Sequence, residues 1–94
     1  MAVVQVKKAV KFISIGNGSA VSANRIISII TPDSAPAKRL IQEARSKGLL
    51  VDATGGKKTK SIFIMDSDHV VISSVSAETA IARGEENDAE MNEG

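Results

Sequence analysis

Residues 34–48 spell out one complete amphipathic helix, and that element constrains what the rest of the chain can build. Ser34 stands where an N-cap accepts a backbone N–H. Pro36 falls in the first turn, where its missing N–H is harmless, and Gly48 occupies the C′ position that favours a left-handed backbone. Ala37, Leu40, Ile41 and Ala44 recur at i, i+3, i+4 and i+7 as a buried stripe. Lys38, Arg39, Gln42, Glu43, Arg45 and Lys47 face out, with Glu43 and Lys47 as a favourable i,i+4 pair. The spacing predicts a helix over 34–47 with a solvated cationic face. That face lacks the spread of base-reading polar residues expected of a recognition helix.

The pattern on either side of this helix is β-like. Lys11–Ile15 alternates weakly, and Asn17-Gly18 is a strong two-residue hairpin signal. Residues 20–30 are expected to form one strand, with Val21, Ala23, Ile27 and Ile29 on one pleat face and Ile26 and Ile30 on the other. A strand apolar on both faces needs cover on both, and in so short a chain a second subunit can supply one. Arg25 interrupts the first face. A lone charge there is costly unless it is turned to solvent, paired or placed at an interface. Further strands are expected over 49–53, 59–65 and 69–75, with a turn at Asp66-Ser67-Asp68. Ser76 caps a short helix from Ala77 to about Arg83. The order implies an α+β fold, a small, mostly antiparallel sheet with one central helix and a short C-terminal helix. Residues 1–83 are expected to form a single domain, and 84–94 an acidic, disordered tail.

Composition narrows the function classes. Trp, Tyr and Cys are absent, and Phe12 and Phe63 are the only aromatics. Disulfides, thiolate metal sites and a thiol nucleophile are therefore excluded. A stacking platform for single strands or RNA is out of reach unless Phe12 or Phe63 is exposed, so duplex DNA through phosphate contacts is the favoured nucleic-acid mode. Val3-Val4 is too short for a signal-peptide core, so a cytoplasmic protein is expected, with no membrane partner. The Asn17-Gly18-Ser19 sequon then reads simply as a turn. The net charge of +1 hides a division. Residues 1–76 hold eleven Lys/Arg against five Asp/Glu, and residues 77–94 hold Arg83 against six acidic residues. A basic body with an acidic tail is a pattern of nucleic-acid binders.

The cationic focus is Asp52-Ala53-Thr54-Gly55-Gly56-Lys57-Lys58-Thr59-Lys60. Two glycines precede three lysines within four positions, and the stretch reads as a hairpin tip. Gly55 and Gly56 would let the backbone approach a surface, and Lys57, Lys58 and Lys60 would reach phosphates of duplex DNA. Other chemistries fit poorly. Gly56-Lys57-Lys58 lacks the upstream glycine and the Ser/Thr of a phosphate-binding loop. Asp66, Asp68 and His69 match a polar β-turn better than a metal site. His69 has no evident nucleophile to activate, and no serine sits in a G-x-S-x-G elbow. No catalytic residue, metal, cofactor or small-molecule substrate is expected.

Four blocks together resemble the RemA-like family, bacterial regulators of extracellular-matrix genes. They are Val21-Ser22-Ala23-Asn24-Arg25-Ile26-Ile27-Ser28-Ile29, Ser34 through Arg45, Gly48 through Thr54, and Met65-Asp66-Ser67-Asp68-His69-Val70. In order and spacing the resemblance covers residues 12–83. It implies a non-enzymatic, DNA-binding transcription regulator of biofilm-matrix operons. It also implies assembly of copies into a ring whose basic surface engages an extended stretch of duplex. The family's DNA-contacting arginine pair falls on Lys57 and Lys58 and its third cation on Lys60, and its Ser-Ala-Asn-Arg arginine, linked to DNA binding or assembly, falls on Arg25. Two positions depart from the family pattern. Gly55 replaces an aromatic residue, and lysines replace the arginines. Arg makes planar bidentate bonds and enters narrow minor grooves, whereas Lys is a hydrated point charge, so charge is kept and readout of groove shape is weakened. The reading from a different class is an oligomeric scaffold or protein-interaction module without specific DNA binding.

The charge division carries one prediction. If the acidic tail competes with DNA for the lysines, deleting residues 85–94 tightens duplex binding in a titration at fixed salt. Equal or weaker binding by the shortened chain would count against that competition.

Overall fold

The computed structural model describes the backbone of residues 11–93 and the side chains of residues 11–85. Strands β1 (Phe12–Gly16) and β2 (Ser19–Ser22) form an antiparallel hairpin. A single 3-10 turn, Ala23–Arg25, leads into β3 (Ile26–Ile30). Helix α1 (Ala35–Ser46) follows, then β4 (Leu50–Asp52), β5 (Ser61–Met65), β6 (Val70–Ser73) and helix α2 (Ala77–Glu93). A four-stranded sheet has the order β3-β5-β6-β4. Its β3–β5 and β5–β6 pairs are antiparallel, and β4 runs parallel to β6. The fold is α+β and mostly antiparallel.

The capping expectations for α1 hold in detail. The Ser34 hydroxyl accepts the N–H of Ala37 at 3.2 Å. At the other end Leu49 N–H reaches the Ala44 carbonyl and Gly48 N–H the Arg45 carbonyl, with Gly48 at φ +73°. Those paired bonds are a Schellman closure, which explains why glycine stands there. Ser76 accepts the N–H of Thr79 and so caps α2. The backbone of α2 runs on to Glu93, beyond the stop expected near Arg83. Gly84 is therefore an interior helical residue. A Cβ there would stand 3.3 Å from Ile13 Cδ1, so glycine is used for close packing on β1, not for termination. The acidic side chains past Glu85 lie outside the described residues.

Two apolar clusters sandwich the sheet. Ile62, Val70 and Ile72 pack with Ala37 and Ala44 of α1. Phe63, Met65 and Val71 point the other way, toward Ile13, Ile15 and Val21 of the hairpin and Ala80 of α2. The alternation of successive residues between faces is the period of a strand. Strands β5 and β6 are thus the doubly covered ones, and each of their large apolar side chains buried in full stabilises by about 1.5–3 kcal/mol.

Two expectations are corrected. Residues 20–30 are not one strand, because the 3-10 turn at Ala23–Arg25 divides them between two sheets and turns Arg25 out to solvent. The glycine–lysine stretch is not a hairpin tip either. Strands β4 and β5 never pair. Both pair with β6, from opposite sides. Strand β6 can satisfy both edges only if the chain between β4 and β5 crosses over its end, and residues 53–60 make that crossing.

Ser61 and Ser73, opposite each other under this crossing, are completely buried. Ser73 Oγ donates to the Ile15 carbonyl at 2.8 Å and accepts Val75 N–H at 2.9 Å, tying β6 to the hairpin. Ser73→Ala leaves both backbone groups short of a partner, and urea unfolding is expected to show a loss of about 1–3 kcal/mol. The exposed Ser67→Ala is expected to stay within about 0.5 kcal/mol of the parent.

Candidate nucleic-acid interface

The crossing loop is an ordered object. Ala53 N–H bonds the Ile72 carbonyl at 2.9 Å and Lys60 N–H bonds the Ser73 carbonyl at 2.7 Å, so both ends are pinned to β6. Between them, Lys57 N–H closes on the Thr54 carbonyl at 3.1 Å. Gly55 and Gly56 both have positive φ, +63° and +83°. That combination is a type I′ turn, open to glycine at both central positions at little cost. Asp52 Oδ1 accepts the Thr54 N–H at 2.9 Å and the Thr54 hydroxyl at 2.6 Å. Thr54 Oγ1 in turn accepts Gly56 N–H at 3.2 Å. The Thr54 side chain is buried, so the network is anchored from beneath.

This frame presents Lys57, Lys58 and Lys60 to solvent. Among the described residues none of the three has an ion-pair partner. Gly56 has nothing within 4 Å of where a Cβ would stand, leaving its backbone open to an approaching surface. Gly55 differs. A Cβ there would meet the Asn17 side chain at 2.7 Å, so its bare face is already occupied from within the molecule.

Arg25 does not join this cluster. It lies at the start of β3, beside the end of β5, where Asp66 N–H bonds its carbonyl at 2.9 Å. Its guanidinium pairs with Asp66 at 3.4 Å, with both side chains well exposed. The lysine loop enters the opposite end of β5. Six residue steps from Lys60 to Asp66 at about 3.3 Å per residue separate the two by roughly 20 Å. The chain thus offers two cationic positions at opposite ends of its sheet.

The remaining polar features are turns. Asp66-Ser67-Asp68 is closed by Asp68 N–H to the Met65 carbonyl, with Asp68 at φ +72°. Ser67 Oγ and His69 Nδ1 lie 2.8 Å apart in the open. Among the described residues no group of three potential metal ligands comes together. No helix there is long and apolar enough to cross a membrane.

Sequence does not assign Asn17, Asp52, Thr54 or Ser73 a part in holding this loop, yet their side chains or carbonyls bond its backbone. The Asp52-x-Thr54 spacing was the one available signal, since Asp side chains commonly bond the N–H two residues on.

The chain matches the family described as RemA-like, extracellular matrix regulatory protein A-like, over residues 12–83. It belongs to that family. A protein of Carboxydothermus hydrogenoformans named "Putative regulatory protein" is 61% identical over 74 residues, 79% of this chain and 85% of the relative. A Brevibacillus brevis protein of the same designation is 54% identical over 85 residues, covering 90% of this chain and 99% of the relative. One from Clostridium botulinum is 50% identical over 88 residues, 92% and 97% of the two chains.

The loop has a pH signature. Bonds from the Thr54 hydroxyl and N–H, with a smaller contribution from the Arg45 charge, hold the Asp52 carboxyl below its ordinary value of 3.8. A depressed carboxyl stabilises the fold above its unfolded value and loses that contribution as pH falls through the folded one. Thr54 and Gly56 amide shifts are expected to move together as this carboxyl protonates, at a pH below its ordinary 3.8.

Proposed function

We propose that this chain is a non-enzymatic regulator that binds duplex DNA through the loop carrying Lys57, Lys58 and Lys60. The observation that supports this most is that all three lysines are exposed, lack an ion-pair partner among the described residues, and stand on a loop whose backbone is hydrogen-bonded at both ends. Cations already neutralised by carboxylates would have little to offer a phosphate. Lysines on a floppy segment would lose affinity to ordering. Gly56 permits close approach. Arg25 serves as a second anchor at the far end of the sheet, since its exposed pair with Asp66 is worth only about 0–1 kcal/mol and yields readily to a phosphate.

Three or so phosphate contacts per subunit make a weak binder, because each neutralised phosphate adds only about 0.9 to the log–log salt slope. The proposal therefore includes homo-oligomerisation, with a ring as the form that repeats the loop in fixed geometry and replaces tight single sites by avidity. Strand β3 supports self-association. Among the described residues it is an edge strand, with no charge from Ile26 to Ile30, and Ile27 is 66% exposed. Edge strands of monomeric proteins are usually blunted by charge, proline or cover. The family's regulation of matrix genes and a cytoplasmic location complete the reading. In place of arginine, lysine favours general phosphate binding over readout of groove shape.

Replacing Lys57 and Lys58 by glutamate, with binding measured over a salt series, tests the surface. Affinity is expected to fall, and the salt slope to become shallower by about 1.8 per engaged subunit. Unchanged affinity with an unchanged slope would remove this loop from consideration.

A further inference from the structure

We infer that Asn17, in the turn of the β1–β2 hairpin, is a positioning residue that clamps the lysine loop in its DNA-facing geometry. The inference rests on the duplex-binding reading above and adds to it a residue from a different part of the chain.

Asn17 lies 36 residues before Ala53, and its Nδ2 donates to the Ala53 carbonyl at 3.2 Å. The acceptor is a carbonyl, which fixes the amide orientation with nitrogen toward Ala53. The carboxamide also lies flat on Gly55. Its Cγ, Nδ2 and Oδ1 stand equally far, 2.7 Å, from where a Gly55 Cβ would be. Three atoms of one plane equidistant from a point place that point above the plane's face. Any side chain at Gly55 would have to displace Asn17, and its φ of +63° disfavours one independently. The glycine is therefore shaped to accept the amide.

The same residue holds its own turn. Asn17 has φ +54° and Gly18 φ +74°. Asn is among the few residues that adopt this region readily. The hairpin is itself fixed to the platform beneath the loop. Ser73 Oγ bonds the Ile15 carbonyl, and a Cβ on the adjoining Gly16 would stand 3.3 Å from Val75. Asn17 thus transmits the position of a rigid hairpin to the turn that immediately precedes Lys57 and Lys58. The loop's other bonds, from Asp52, Thr54 and the β6 carbonyls, are near in sequence or at its two ends. Asn17 holds the loop from outside it, just ahead of the lysines.

The test uses Asn17→Gly, which keeps the positive φ and a favourable two-residue turn while removing the amide. Exchange of the Gly56 and Lys57 amides is expected to accelerate several-fold, with the global unfolding midpoint unchanged. Affinity for a duplex oligonucleotide is expected to fall about three- to tenfold, the loss for ordering one or two side chains on binding. The salt slope should not move, because every cation is still present. That combination separates loss of positioning from loss of charge and from general destabilisation. Asn17→Asp, which preserves the turn but offers no donor to Ala53, gives the same loop-exchange result and covers a failure of the glycine variant to fold. Gly55→Ala should slow or weaken binding in the parent and do markedly less further harm in the Asn17→Gly background, since the two share one contact. Unaltered exchange in both Asn17 variants overturns the clamp. Faster exchange with unaltered affinity, while Lys57→Glu with Lys58→Glu removes binding, overturns the inference and leaves the duplex-binding reading intact. If neither the Asn17 change nor the lysine pair affects binding, that reading fails and this one falls with it.

Discussion

Strands β5 and β6 lie against each other with apolar side chains buried on both of their faces, and the positions of the lysine loop and of Arg25 follow from that contact. Ile62, Phe63, Ser61 and Ser73 have no accessible surface. A strand covered on both sides cannot present binding groups along its length. Exposed polar groups are left to the ends, where the chain enters and leaves the sheet. Loops positioned by a rigid scaffold are the usual home of binding residues for this reason. Here one end carries the lysine loop and the other the Arg25–Asp66 pair.

The lysine loop resolves a conflict between charge density and order. Three cations within four residues repel one another and have no nearby carboxylate partner among the described residues. Such a segment holds its shape only if backbone groups are fixed by other means. Asp52 and Thr54 supply those means from the β4 side, β6 carbonyls supply them at both ends, and Asn17 meets the loop from the hairpin. Asp52 is itself acidic and close to the lysines in sequence. Its carboxylate oxygen is engaged by Thr54, so it shapes the turn from one residue pair away without capping a lysine.

Local signals were legible and non-local ones were not. The ends of α1 could be read because Ser34, Pro36 and Gly48 act through bonds to backbone groups within five residues. The Asn17-Gly18 turn was equally plain, because positive φ is a property of the residue itself. Residues 20–30 misled because uninterrupted apolar residues look like a strand whether or not the chain bends. The cue was Arg25, whose awkward place on a pleat face disappears once the 3-10 turn is present. Residues 49–65 misled in another way. Two apolar runs joined by a glycine turn suggest a hairpin, yet β6, later in the chain, offers each run a better-covered partner.

Sequence alone determined the α+β class, the capped helix, the family, and the identity of the cations that stand at the surface. Those properties depend on residue type and short-range spacing, so they survive any uncertainty about which strand meets which. Only the tertiary structure decided that the lysines ride on a crossover pinned to β6, that Arg25 stands at the other end of the sheet, and that Gly55 is filled by Asn17. Each of those outcomes is a competition between distant segments for the same hydrogen-bonding edge or the same small volume. Such a competition is settled by the shape of the packed core, which no local stretch of chain specifies.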